Sequence, residues 1–169
     1  WSLIGNNIGT FTAQSGSSTT LLLVHPGVGR IVADHATAKD DTSGNLTIAV
    51  GALHHVKVMS GDAGFTSVVM TQEITADETL AVHASGFDAD DNYIDDFSVT
   101  WLVSGKIGTV SQATGKSTTL IATKAGVGQI TADYADPKVI DGATGTITVK
   151  PGRLAFIWVI EGPSGAGTQ

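Results

Sequence analysis

Four oxygen-bearing side chains crowd one short stretch: Asp88, Asp90, Asn92 and Asp95, in the run DADDNYIDD. Hard oxygen ligands at this spacing suit Ca²⁺. The run opens as a calcium loop does, D-x-D-x-N. Tyr93, however, stands where the tight turn needs Gly, and Val99 stands where a bidentate Glu closes the shell. An EF-hand is excluded. Two readings are left. One is a looser Ca²⁺ site between strands or between domains. The other is a solvated turn whose Asp and Asn side chains bond the local backbone.

Other stretches hold less chemistry. Ala113-Thr114-Gly115-Lys116-Ser117-Thr118 ends like a phosphate-binding loop, but Val110 occupies the first Gly position. The residues after it, Thr119-Leu120-Ile121-Ala122-Thr123, have a strand pattern, whereas that loop must open a helix whose N-terminus binds phosphate. A β-turn is the better reading. His54 and His55 are adjacent in a strand and point to opposite faces, so they cannot chelate one ion together. No G-x-S-x-G elbow accompanies the many Ser and Thr residues. Asn45-Leu46-Thr47 is a glycosylation sequon entering a strand.

The elements that would position these residues are written twice. Trp1–His35 and Val99–Tyr134 align without a gap from Ile8 and Ile107 onward. Roughly half of those positions are identical, at a period near 100 residues. Apolar residues recur (Leu21, Val28, Ile31 against Leu120, Val127, Ile130), and so do glycines (Gly9, Gly16, Gly27, Gly29 against Gly108, Gly115, Gly126, Gly128). The histidines do not: His25 becomes Lys124 and His35 becomes Tyr134. The recurring part is a scaffold, and no constellation retained by both copies points to an enzyme.

Composition agrees. Ser, Thr, Val, Ala and Gly dominate, which suits strands and turns. The net charge is -7, and nine basic residues spread along the chain make no patch for nucleic acid. There is no cysteine, hence no disulfide and no thiolate metal site. No apolar run reaches the ~20 residues needed to span a bilayer.

Short strand-like stretches recur along the chain: the alternating Leu53–Met59, Glu78–Ser85 and Phe97–Val103, and the β-branched Thr66–Gln72, with Asp88–Asp96 read as a loop. Strands with turns every 8–12 residues predict an all-β antiparallel sandwich. The expected division is into residues 1–51, carrying only the later strands of a domain; residues 52–151, a complete domain; and residues 152–169, the first strand of a third copy with a flexible tail. Trp1 and Trp101 are expected in the cores, each ring filling the space between two sheets.

The ordered residues also resemble a known family. Ala84, Gly86, Asp88 and Asn92 fit A-x-G-x-D-x-x-x-N. Val99-Thr100-Trp101, Gly108-Thr109-Val110, Thr118-Thr119-Leu120, Gly126-Val127-Gly128 and Ile130-Thr131-Ala132 come next in order. This pattern resembles the bacterial immunoglobulin-like (Big-type) tandem repeats of surface adhesins, invasin-like proteins, S-layer proteins and cell-surface hydrolases. The resemblance implies tandem Ig-like sandwiches in an extracellular or cell-surface stalk without catalysis, with neighbouring Ig-like domains as partners.

The last apolar stretch, Arg153–Ile160, is apolar on both faces: Leu154, Phe156 and Trp158 on one, Ile157 and Val159 on the other. It reads as a donor strand. Given to the strand-deficient residues 1–50 of a neighbour, it would join copies of the chain head to tail into a fibre. The rival reading is a carbohydrate-binding or spacer module of a secreted hydrolase or adhesin, with surface polysaccharide as partner. For that, Tyr93, Tyr134 and Trp158 are the candidate exposed aromatics.

Overall fold

The computed structural model describes residues 1–157 and Val159. It is all-β, with eighteen strands among the described residues. Six lie in the first 51 residues: β1 (Ser2–Gly5), β2 (Gly9–Phe11), β3 (Leu21–Leu23), β4 (Gly27–Ala33), β5 (Asp41–Thr42) and β6 (Leu46–Ile48). The others are β7 (His55–Ser60), β8 (Gln72–Thr75), β9 (Thr79–Phe87), β10 (Tyr93–Asp96), β11 (Val99–Val103), β12 (Gly108–Val110), β13 (Thr114–Gly115), β14 (Ser117–Ala122), β15 (Gly126–Gly128), β16 (Ile130–Asp133), β17 (Gly142–Ala143) and β18 (Ile147–Lys150).

From β7 onward the strands make three sheets. One has the order β10-β9-β14-β12, with β7 also paired to β9; the second is β13-β11-β16-β17; the third is β15-β18-β8. Their period-two patterns point inward at a shared core. Val56 and Val58, Val82 and Ala84, Val99 and Trp101, Leu120 and Ala122, Ile130 and Ala132, and Ile147 and Val149 all belong to it. Trp101 is 2% exposed. Its indole N–H donates to the Gly115 carbonyl at 3.0 Å, so the buried ring leaves no polar atom unpaired.

Residues 1–51 carry their own pairings: β1-β4-β5, with β6 also on β4, and the hairpin β2–β3. Among the described residues no strand pairing crosses between the two stretches. The pairings correspond, however. Gly9, Thr10 and Phe11 face Leu23, Leu22 and Leu21, as Gly108, Thr109 and Val110 face Ala122, Ile121 and Leu120. Gly27, Val28 and Gly29 face Ile48, Thr47 and Leu46, as Gly126, Val127 and Gly128 face Val149, Thr148 and Ile147. The Trp1 indole N–H donates to the Gly16 carbonyl at 3.1 Å, the counterpart of the Trp101 bond. Thr19 and Thr118 close matching turns onto Ala13 and Gln112. Ile8 and Ile107 are both fully buried.

Burial does not correspond. Leu120, Ile130, Ala132 and Ile147 are fully buried, while Leu21, Ile31, Ala33 and Leu46 are half-buried. Leu23 is 50% exposed, against 3% for Ala122. Trp1, expected in a core, is likewise only half-buried. The cause lies in β7 and β9. In the later stretch β9 flanks β14 and β7 flanks β9, and among the described residues no strand takes the place of β9 beside β3.

Three local expectations are corrected. Of Thr66–Gln72, Val68 makes only an isolated bridge to Met59, and the strand begins at Gln72. The stretch read as a loop, Asp88–Asp96, ends in β10, which pairs β9 with a bulge between Tyr93 and Asp95. The sheets are not purely antiparallel, because β8 runs parallel to β18. Within this single chain the described residues of Arg153–Ile160 pair with no strand: Leu154 is 79%, Ile157 81% and Val159 100% exposed. Trp158, Ile160 and the tail Gly162–Gln169 lie outside the described residues.

The burial contrast yields a first prediction. Leu120→Ala should cost about 2–5 kcal/mol in urea unfolding, as full-core truncations do, and Leu21→Ala about 1 kcal/mol or less. Equal costs would mean that β3 is covered.

Candidate functional site

Asp88 directly follows β9 at the point where the two stretches meet, and it is 5% exposed. Its Oδ1 accepts the backbone N–H groups of Asp90 (3.0 Å) and Asn92 (2.9 Å). Its Oδ2 accepts that of Gly51 (2.9 Å). The Asn92 amide donates to both oxygens. Desolvation pushes the carboxyl up, but the bonds from Gly51, Asn92 and Asp90 outweigh it and lower its pKa from 3.8 to about 2. The turn is closed by Asp88 N–H onto the Asn92 carbonyl, with Asp91 in the left-handed region at φ 64°.

The same loop grips the first stretch. The Asn92 amide donates to the Val24 carbonyl at 2.9 Å, and its Oδ1 lies 3.3 Å from His25 Nδ1. Together with Gly51, this makes Asp88 and Asn92 a polar clasp across the junction. Of the four residues expected as calcium ligands, the fold brings these two together. Asp90 joins through its backbone N–H, and Asp95 faces Lys116 at 3.8 Å. No set of three or more His, Asp or Glu side chains that could hold a metal is present among the described residues. The Asp88 oxygens are already filled by N–H donors, so a cation would have to displace them.

A second polar cluster lies under the turn after β7. His83 is fully buried in β9. Its Nδ1 lies 3.0 Å from the Gly61 carbonyl and its Nε2 2.6 Å from the Gly64 carbonyl. Carbonyls only accept, so the ring fills both bonds when both nitrogens carry a proton. Asp96 Oδ1 lies 3.9 Å from the same Nε2. Asp96 also accepts Gly64 N–H (2.7 Å), the Ser85 hydroxyl (2.8 Å) and the Tyr93 hydroxyl (3.3 Å). Desolvation raises the Asp96 carboxyl, but these bonds and His83 bring it below its ordinary value. His, Asp and Ser meet here, yet the Ser85 hydroxyl donates to the carboxylate and not to the ring. The nucleophile–base contact of acyl transfer is not made.

The cluster holds the Gly61–Gly64 turn down on β9. The turn in turn presents Phe65, 69% exposed, against Phe87 (6.2 Å between centroids) and Tyr93 (5.8 Å). His55 stacks on Phe87 at 5.6 Å, and Lys57 lies 4.6 Å from the same ring. Lys57 and His55 both reach Asp91 at 2.8 Å. The hydrogen bond and the charge of Lys57 hold that carboxyl below its usual value. Sequence reasoning gives no role to His83, which it sets aside with the other histidines as a metal or catalytic residue, and misses Asp96, Phe65 and Phe87. In the structure Gly61 and Gly64 both take positive φ, which lets the turn close over His83.

Acid should expose the clasp. The folded pKa of Asp88 is depressed, so its contribution is fully present above 3.8 and is lost as pH falls toward about 2. Asp88→Asn should lower stability at neutral pH and flatten the acid limb of the stability–pH curve in that window. An unchanged limb in urea titrations would show that the clasp contributes nothing to stability.

No family model matches this chain, and no curated protein matches it.

Proposed function

We propose that the chain is a non-catalytic, extracellular structural protein, a stalk or fibre segment built of tandem Ig-like repeats. The observation that carries this reading is the corresponding set of pairings in the two stretches, down to the indole bonds Trp1–Gly16 and Trp101–Gly115. Both copies share architecture. The titratable clusters, His83 with Asp96 and Asp88 with Asn92, sit in strands and loops that have no counterpart in the first stretch, and each acts as a fastener. A junction spanned by Gly51, Asp88, Asn92 and Val24 holds successive units at a set angle, as a rod under tension requires. The fibre form of this proposal has copies of the chain as partners, joined by strand donation from residues 153–160.

Small-angle scattering tests the rod. The wild-type chain should behave as one stiff particle, and Asn92→Ala should broaden its distance distribution without unfolding either unit. Independent tumbling of the two units in the wild type would reject the stalk.

Phe65 favours a second reading, a carbohydrate-binding module. An exposed ring held by a buried network, flanked by Tyr93, has the makings of a platform for a sugar ring. Pull-down on insoluble polysaccharides separates the two. The stalk predicts no retention; retention abolished by Phe65→Ala would give the function to the platform.

A further inference from the structure

His54 and His55 do not face apart. β7 begins at His55, so His54 lies ahead of the strand and outside its period-two alternation. The two Nδ1 atoms come within 3.3 Å of each other, with the rings edge to face at 86°. The expectation that this pair cannot meet one ion is corrected, because it took both residues to lie in one regular strand.

We propose that His54 and His55 form a two-point chelate for a borderline divalent transition ion, Zn²⁺ or Cu²⁺, held through both Nδ1 atoms with water completing the shell. Spacing, tautomer, anchoring and access carry the proposal.

The spacing fits an ion better than a proton. Zn²⁺ holds imidazole nitrogens at about 2.0–2.1 Å with tetrahedral angles, which puts two of them about 3.3–3.4 Å apart. The two Nδ1 atoms already have that separation. For an N–H donor the same distance is long, beyond the roughly 2.7–3.2 Å of N–H···O bonds.

The tautomer fits as well. His55 Nε2 lies 2.8 Å from Asp91 Oδ1. A carboxylate only accepts, so the proton of the neutral ring sits on Nε2 and Nδ1 keeps its lone pair. A carboxylate behind a histidine in this way fixes the ring and raises its basicity toward a metal. Lys57 shares the Asp91 oxygen at 2.8 Å and keeps that carboxyl ionised. Without an ion, the Nδ1 proton of His54 faces the His55 lone pair. Its transfer through solvent to His54 Nε2 frees the second ligand with no net change in protonation.

Both residues are anchored before any ion arrives. The His55 ring stacks on Phe87 at 5.6 Å, 12° from parallel. The His54 backbone is held on both sides: its N–H donates to the Phe87 carbonyl at 2.8 Å, and its carbonyl accepts the Ile140 N–H at 3.0 Å. Folding has thus already ordered the two rings' attachment points, which lowers the entropy lost on binding.

Access is open from one side. His54 is exposed, so an ion enters with its waters. Among the described residues no third His, Asp or Glu joins the pair in a ligand set. Two protein ligands plus water make an exchangeable site, in contrast to the closed four-ligand shells of structural zinc. Neutral imidazoles select Zn²⁺ or Cu²⁺ over Ca²⁺, which takes oxygen ligands.

The full chain, treated with EDTA and desalted, is titrated by calorimetry with ZnCl₂, with CuSO₄ and with CaCl₂. Zn²⁺ should bind saturably, and excess Ca²⁺ should not compete. His54→Ala and His55→Ala should each weaken Zn²⁺ binding at least about tenfold, whereas His25→Ala and His35→Ala should change it less than about twofold. Asp91→Asn, which suits the left-handed backbone at φ 64°, should weaken it several-fold. In ¹⁵N spectra of the histidine side chains, Zn²⁺ should shift Nδ1 of both rings as a ligand. No saturable binding of either transition ion overturns the proposal and leaves the pair sharing a proton. Binding that survives the loss of His54 or His55 overturns it, and so does ligation through His55 Nε2 or displacement by Ca²⁺. His54 is exposed, so His54→Ala should keep the wild-type urea midpoint; were His55→Ala to unfold the chain, His54→Ala and the ¹⁵N spectra decide.

Discussion

A sheet that buries one face needs a second sheet against it, and that requirement organises the whole chain. Trp101 shows the requirement met. Its ring lies in one core with Val56, Val58, Val82 and Leu120, contributed by the facing sheet, and its one polar atom is bonded to the Gly115 carbonyl. Trp1 keeps the bond and lacks the cover. Hydrogen bonds within a sheet layer can thus be reproduced by local sequence, whereas burial depends on strands remote in the chain. The second condition supplies most of the stability, because apolar burial yields ~25 cal/mol per Å² removed from water.

This distinction explains which features are legible in the sequence. The alternation of Val99 and Trp101, Leu120 and Ala122, and Ile130 and Ala132 announces strands, and the glycines between them announce turns. Those signals are local. The parallel union of β8 with β18 is hidden, because residues near 73 and 148 meet only through the tertiary fold. Asp95 and Asp96 look like loop residues for a sound reason: strands rarely accept adjacent carboxylates. The fold accommodates them by a bulge, with Asp95 outward toward Lys116 and Asp96 inward beneath Gly64, Ser85 and Tyr93.

The site is legible in its composition and not in its use. The Asp and Asn spacing in Asp88–Asn92 stands out, since few stretches gather so many oxygens. Whether such oxygens meet a cation or N–H groups is decided by backbone geometry, and here Gly51, Asp90 and Asn92 provide the donors. His83 leaves no mark. A histidine on the nominally outer face of β9 reads as solvated until the Gly61–Gly64 turn folds over it.

The pairing of β18 with β8 bears on mechanics. Force applied beyond Lys150 and directed along β18 loads the matched pairs Ile147–Gln72 through Lys150–Thr75 side by side. Strands drawn lengthwise past each other must break those bonds together, whereas a hairpin peeled from its open end gives them up singly. A module whose exit strand is fastened in this way withstands tension along its axis.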